Sequence, residues 1–121
     1  NEWNSMRYEN AVKYSERLSE IKEISVPKIR EECSHIFHLY VIRAEERDAL
    51  KSHLERQEIQ TALHYPTPLP FLDAYSGCQY KSSDFPVAYK YMKEILSLPM
   101  FPELKEKEID AVCASISEFY N

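Results

Sequence analysis

His35-Ile36-Phe37-His38-Leu39-Tyr40-Val41-Ile42 is a nearly unbroken run of β-branched and aromatic side chains. Such a run predicts a strand. Successive strand residues point to opposite faces, so Ile36, His38, Tyr40 and Ile42 share one face, and Phe37, Leu39 and Val41 share the other. Both faces are apolar, which predicts a strand covered on both sides and central in its sheet. The remaining elements are placed around it.

Downstream, a helix is predicted over 45–56, with Leu50 and Leu54 inward and acidic residues in its first turn, where the helix dipole favours them. Ile59-Gln60-Thr61-Ala62-Leu63 reads as a short strand. Upstream, Ala11, Tyr14, Leu18 and Ile21 recur at helical spacing, with Trp3 in register, and predict a helix over 3–22. Its start at the very first residues leads us to expect a chain cut from something longer. Pro27 begins an extended crossing. Further on, Ser83 or Asp84 is the expected cap and Pro86 the first-turn residue of a helix whose face is Phe85, Ala88, Met92 and Ile95. Leu96-Ser97-Leu98 reads as an edge strand that Pro99 ends. A last helix over 104–120 carries the cleanest stripe: Ile109, Val112, Cys113, Ile116, Phe119 and Tyr120. The class is α+β, with three short strands and about four helices.

Between the second strand and the Pro86 helix lies His64-Tyr65-Pro66-Thr67-Pro68-Leu69-Pro70-Phe71. Three prolines in five residues remove three backbone donors and push Tyr65, Thr67 and Leu69 towards extended dihedrals. The expectation is a stiff polyproline-like rod that displays a histidine, a tyrosine and a phenylalanine. A stiff rod loses little entropy when something docks on it, which suits a binding loop; a rigid connector between strand and helix is the other reading.

Composition bounds the function. The chain has 121 residues, 44% of them hydrophobic, enough for one domain with a core. Its net charge of −5 argues against nucleic acid, whose phosphates need a basic face. No apolar run approaches the ~20 residues of a membrane span, and no basic-then-apolar leader is present. Cys33, Cys78 and Cys113 are odd in number and widely spaced, which fits reduced thiols in a cytoplasm. With Gly77 its single glycine, the chain cannot build a glycine-rich phosphate cradle.

Other candidate sites dissolve. His35 and His38 point to opposite faces of the predicted strand, so one metal ion cannot reach both beside Cys33. Cys78, Tyr89 and Tyr91 read as packing and His53 as a solvated helix residue. No pair of carboxylates stands out as an acid and a base, and no serine or cysteine has a nucleophile setting.

Five blocks carry a resemblance: His38-Leu39-Tyr40-Val41-Ile42-Arg43; Arg47-Asp48 with Leu50; Gln60-Thr61-Ala62-Leu63-His64-Tyr65-Pro66; Ala74-Tyr75; and Glu94-Ile95-Leu96-Ser97-Leu98-Pro99-Met100-Phe101-Pro102. With this spacing the chain, from about Trp3 to Phe119, closely resembles the C-terminal part of the DegT/StrS family of PLP-dependent nucleotide-sugar aminotransferases. The resemblance implies the small domain of a fold type I enzyme. Such an enzyme is a homodimer that moves an amino group from glutamate to a nucleotide-linked keto-sugar, in polysaccharide or amino-sugar biosynthesis. It also implies that the PLP-binding lysine and most cofactor contacts lie in a large N-terminal domain. No lysine here has the glycine-rich neighbourhood of that residue. The expectation is therefore that residues 1–121 are the small domain alone, without PLP and inactive by themselves. In the family the His-Tyr-Pro segment closes over the cleft near sugar and cofactor, at the subunit interface, so His64, Tyr65 and Pro66 inherit a substrate-binding position. Two departures accompany the match. Pro70 stands where many members carry a second histidine. Glu58 stands where many have glycine, which predicts the loss of a left-handed helix cap. The reading of another class is a stand-alone, non-catalytic binding or dimerisation module built on the same fold.

Overall fold

The computed structural model describes residues 1–121. A three-stranded antiparallel sheet is backed on one face by three helices. The elements are α1 (Glu2–Leu18), β1 (Ile24–Ser25), β2 (Tyr40–Ala44), α2 (Arg47–Arg56), α3 (Pro86–Tyr91), β3 (Ile95–Leu98) and α4 (Glu106–Tyr120), with two 3-10 turns at Leu69–Phe71 and Asp73–Cys78. This is the expected small α+β domain. No helix is long and apolar enough to cross a membrane.

β2 is central, as its composition predicts, and the sheet order is β1-β2-β3. Tyr40 faces Leu98, Ile42 faces Leu96, and Ala44 faces Ile24. These six side chains form one apolar face, all nearly inaccessible. The other face departs from expectation: Val41 and Arg43 are only half-buried, so the strand is covered on one side and not on both. It also starts five residues late. His35 Nδ1 accepts the Phe37 amide at 2.9 Å, and Phe37 adopts φ 46, which turns the chain before the ladder begins. A side chain that captures a backbone donor in this way competes with strand pairing. Phe37 reaches the core all the same, 5.9 Å from the Tyr40 ring.

The expected strand over 59–63 shrinks to one bridge, in which Ala62 and Ser97 exchange both backbone hydrogen bonds. In that register the next bonded partner of Gln60 is Pro99, which has no N–H to give. The third strand is β1 instead, two residues long and without a pattern for sequence reading to catch.

The helices follow their stripes. α1 buries Ala11, Tyr14 and Leu18 and stops at Leu18, four residues short of its expected end. Tyr14 stacks on Tyr40 at 4.9 Å, and Ser15 Oγ lies 2.8 Å from the Tyr40 hydroxyl. Tyr14 Oη donates to the Pro99 carbonyl (3.0 Å), and Asn10 Nδ2 donates to the Phe101 and Pro102 carbonyls (3.1 and 3.3 Å). α1 thereby fastens the proline-rich exit from β3. α4 begins with the Lys105 amide donating to Glu108 Oε2 (2.8 Å) and buries Ile109, Val112, Cys113 and Ile116 against α1 and α2. Fully buried aliphatic side chains such as Leu50, Leu54, Leu96, Ile109 and Ile116 each contribute roughly 1.5–3 kcal/mol. The ion pairs of Lys13 and Arg17 with Glu106 and Asp110 lie on an exposed seam, where such pairs contribute about 1 kcal/mol or less.

α2 ends where a left-handed cap was not expected. Glu58 has φ 60, its amide donates to the Glu55 carbonyl, and the Ile59 amide donates back to the Leu54 carbonyl, both at 3.0 Å. The glycine-type turn forms around a glutamate, because Ile59 must come back to pack against the core. α3 begins at Pro86 as expected, but its N-cap is Phe85; Asp84 instead closes the preceding turn by accepting the Lys81 amide at 2.8 Å.

Candidate functional site

The half-open face of the sheet is where the proline-rich segment arrives. Val41 and Ser97 are paired neighbours on that face, as are Arg43 and Ile95. The Ala62–Ser97 bridge brings the chain alongside β3. Residues two apart on an extended chain share a face, so His64 lies on the same side as Ala62, while Leu63 turns to the core. The diagonal neighbour of His64 across the bridge is Ser97, and His64 Nδ1 lies 2.9 Å from Ser97 Oγ.

Tyr65 follows, 73% exposed, its ring edge-on to His64 at 5.6 Å. Pro66 is also exposed. Beyond it the segment is extended only in part. Pro68 (φ −64, ψ 150) and Leu72 (φ −74, ψ 147) hold polyproline dihedrals, but the 3-10 turn Leu69–Phe71 folds the stretch between them, with the Phe71 amide donating to the Pro68 carbonyl at 2.9 Å. The expected rod is thus shorter than its prolines suggest. Phe71 is half-buried against Tyr89 (5.6 Å) and Phe85 (6.3 Å), which braces the loop on α3. Between this loop and α3 runs an apolar groove of about 570 Å³, lined by Tyr65, Pro66, Leu69, Leu72, Met92 and Ile95.

A second concavity of about 680 Å³ lies beyond Tyr91 on the same sheet face, with Val26, Pro27, Val41 and Arg43 in its walls. The Arg43 guanidinium sits 4.5 Å over the Tyr91 ring and 3.3 Å from Glu94 Oε2, so its charge is already partnered. Arg47, although charged, is buried: Nη1 and Nη2 donate to the Ile95 and Met92 carbonyls (2.7 and 3.2 Å), and Nε to Asp48 (2.7 Å). It ties the start of α2 to the junction of α3 and β3, which carries one wall of the groove.

The other sequence candidates stay apart. Cys33 and Cys78 are exposed, and Cys113 is buried in α4. His35 Nδ1 accepts the Phe37 amide and His38 is exposed in a loop, so neither residue lies on a strand; no three His, Cys, Asp or Glu side chains gather for a metal. His53 rests 5.4 Å from Phe119 and within 3.2 Å of Gln57 rather than in open solvent. Tyr89 braces Phe71, as a packing residue does. Trp3 and Tyr65 are exposed, and Phe71 is half-buried. Sequence reading missed Ser97 and Arg43, which only the strand register brings to this face.

A model of the DegT/DnrJ/EryC1/StrS aminotransferase family matches residues 1–117. Among curated proteins, the "Pleiotropic regulatory protein" of Geobacillus stearothermophilus is 42% identical over 120 residues, which are 98% of this chain and 32% of that protein. The dTDP-3-amino-3,6-dideoxy-alpha-D-galactopyranose transaminase of Aneurinibacillus thermoaerophilus is 34% identical over 116 residues, 96% of this chain and 31% of that protein. Among solved structures, S. venezuelae DesV in complex with a ketimine intermediate superposes with a TM-score of 0.94 at 31% identity, over 98% of this chain and 32% of that one. The chain therefore spans about a third of the length of these relatives.

Proposed function

From the premise that this chain belongs to the DegT/DnrJ/EryC1/StrS aminotransferase family, we propose that it is the small domain of a PLP-dependent nucleotide-sugar aminotransferase. In this reading the whole enzyme is a cytoplasmic homodimer that moves an amino group from glutamate to a keto-sugar carried on a nucleotide. His64, Tyr65 and Pro66 are the part of the substrate wall that residues 1–121 supply. The observation that carries the reading is the placement of His64: a histidine anchored by one ring nitrogen, next in the chain to an exposed tyrosine that lines an apolar groove. Such a mixture of apolar wall and a few fixed polar atoms suits a sugar ring and its hydroxyls. The transaminase names of relatives that span the chain support the substrate class.

The residues of this chain do not fit the cofactor by themselves. A lysine that carries PLP needs a closed, desolvated pocket. Here no lysine is buried; Lys13, Lys51 and Lys90 sit in surface ion pairs, and Lys93 lies over Tyr89. The proposal therefore assigns the cofactor to the remaining two thirds of the enzyme, and to this domain the tasks of binding and orienting the sugar and excluding water.

A second reading, a non-catalytic binding or dimerisation module on the same fold, is favoured by one observation, the regulatory name of the Geobacillus relative. One assay separates the two. The enzyme that carries this domain is supplied with PLP, glutamate and a panel of dTDP- and UDP-linked keto-hexoses, in parallel with residues 1–121 alone. Amino-sugar formation by the longer protein and none by the chain is the expected result. Formation by the chain alone, or by neither with any sugar, overturns the proposal.

A further inference from the structure

Ser97 has a surrounding that decides how His64 presents itself. It is 4% exposed, and both its amide and its carbonyl are taken by Ala62. On the sheet face its neighbours are Val41, its β2 partner, and Ala62, both apolar. The one hydrogen bond of its hydroxyl is to His64 Nδ1, at 2.9 Å. A serine hydroxyl is one donor and two acceptor lone pairs, and a neutral imidazole carries its proton on one nitrogen only. If Nδ1 held the proton, it would donate to Ser97 Oγ, and the serine proton would be left in a buried place with nothing to receive it. An orphaned buried donor is the costlier outcome, whereas a hydroxyl lone pair left over costs little. The arrangement that satisfies both groups has Ser97 Oγ–H donating into Nδ1, with the imidazole proton on Nε2.

We propose that Ser97 is a positioning residue that selects the tautomer of the neutral His64 imidazole with its N–H on Nε2, so that the site recognises an acceptor oxygen on the ligand. The assignment adds direction to the substrate wall. His64 donates through Nε2 and does not accept there, which selects a carbonyl, hydroxyl or phosphate oxygen and disfavours a group that can only donate. Ser97 acts through His64 and touches no substrate. The proposal rests on the sugar-side reading of His64 for its consequence, but the tautomer itself is a property of residues 1–121.

The test reads the ring directly. Residues 1–121 labelled with ¹⁵N-histidine are examined by long-range ¹H–¹⁵N correlation at a pH where the imidazoles are neutral, with His64→Gln identifying the His64 signals. The expected result is an unprotonated Nδ1 and a protonated Nε2 in the wild type. In Ser97→Ala the Nδ1 signal should move towards that of a free imidazole, and Ser97→Thr should restore it. In the enzyme, Ser97→Ala should lower kcat/KM for the keto-sugar about three- to tenfold, the usual effect of one lost hydrogen bond, while the glutamate half-reaction is unchanged. A proton on Nδ1 in the wild type, or identical His64 spectra in the wild type and Ser97→Ala, overturns the proposal. The wild-type spectrum decides it even where a variant fails to fold. If the tautomer is as stated but neither His64→Ala nor Ser97→Ala affects the sugar half-reaction, the substrate-wall reading falls and the positioning assignment stands.

Discussion

Replacing Glu58 with glycine should make this domain more stable, although the substitution removes a side chain and adds none. Glu58 holds φ 60 after the end of α2, between the Glu55 and Leu54 carbonyls that its own amide and that of Ile59 engage. A residue with a Cβ in left-handed backbone costs roughly 1–2 kcal/mol. Glycine is free of that cost but brings a more flexible unfolded chain, worth roughly 0.4–1 kcal/mol in the opposite direction. The carboxylate also sits at the negative end of the α2 dipole without an ion pair, and its removal contributes about 0.3 kcal/mol or more. The net expectation for Glu58→Gly is a gain of about 1 kcal/mol, or about 3–5 °C in Tm for a domain of this size. Glu58→Ala is the control: it removes the charge but keeps the Cβ, and should shift stability by less than about 0.5 kcal/mol. Urea unfolding of the three proteins, with m held common, measures the differences. If Glu58→Gly is destabilised, or gains no more than Glu58→Ala, the left-handed cap does not carry the strain assigned to it.

Three further outcomes follow from buried polar groups. Arg47→Met keeps the packed stem but leaves the Ile95 and Met92 carbonyls unpaired, and should cost about 2–4 kcal/mol in urea unfolding; a cost under about 0.5 kcal/mol would show that the guanidinium latch is dispensable. Burial pushes the Cys113 thiol up from 9.0 to about 12 and the Tyr40 hydroxyl up from 10.0 to about 12. These folded-state values lie above the unfolded ones, so the stability the two groups contribute is fully present below about pH 9 and is lost as pH rises towards 12, by ~1.4 kcal/mol per pH unit for each group titrating. Unfolding curves at pH 8 and pH 11 test the slope. Thiol labelling at pH 8 should reach Cys33 and Cys78 in the native state and Cys113 only after denaturation.

The central strand was legible because Tyr40, Val41 and Ile42 are strand formers whichever residues flank them. Its true start was not, because a two-residue contact between His35 and Phe37 overrides the propensity of the first half. β1 is too short to show any period, and the strand expected at 59–63 fails through its partner Pro99, thirty-seven residues beyond Ala62. The left-handed turn at Glu58 lies outside what residue preference can show, since core packing of Ile59 enforces it against that preference. Of the candidate site, His64, Tyr65 and Pro66 were visible as a stiff display because prolines restrict their neighbours in any fold. Ser97 was invisible. Its partnership with His64 exists only in the register that sets Ala62 opposite residue 97.

The proposed place of His64 in a substrate wall is tested most directly by single-turnover kinetics of the two half-reactions in the proposed full-length enzyme. In the enzyme that carries this domain, His64→Ala should slow the keto-sugar half-reaction about three- to tenfold, as the loss of one hydrogen bond to an uncharged group does. The glutamate half-reaction should keep its wild-type rate, and the cofactor should stay bound. Equal losses in both halves, or loss of the cofactor itself, would contradict the account and assign His64 to the cofactor site or to the fold.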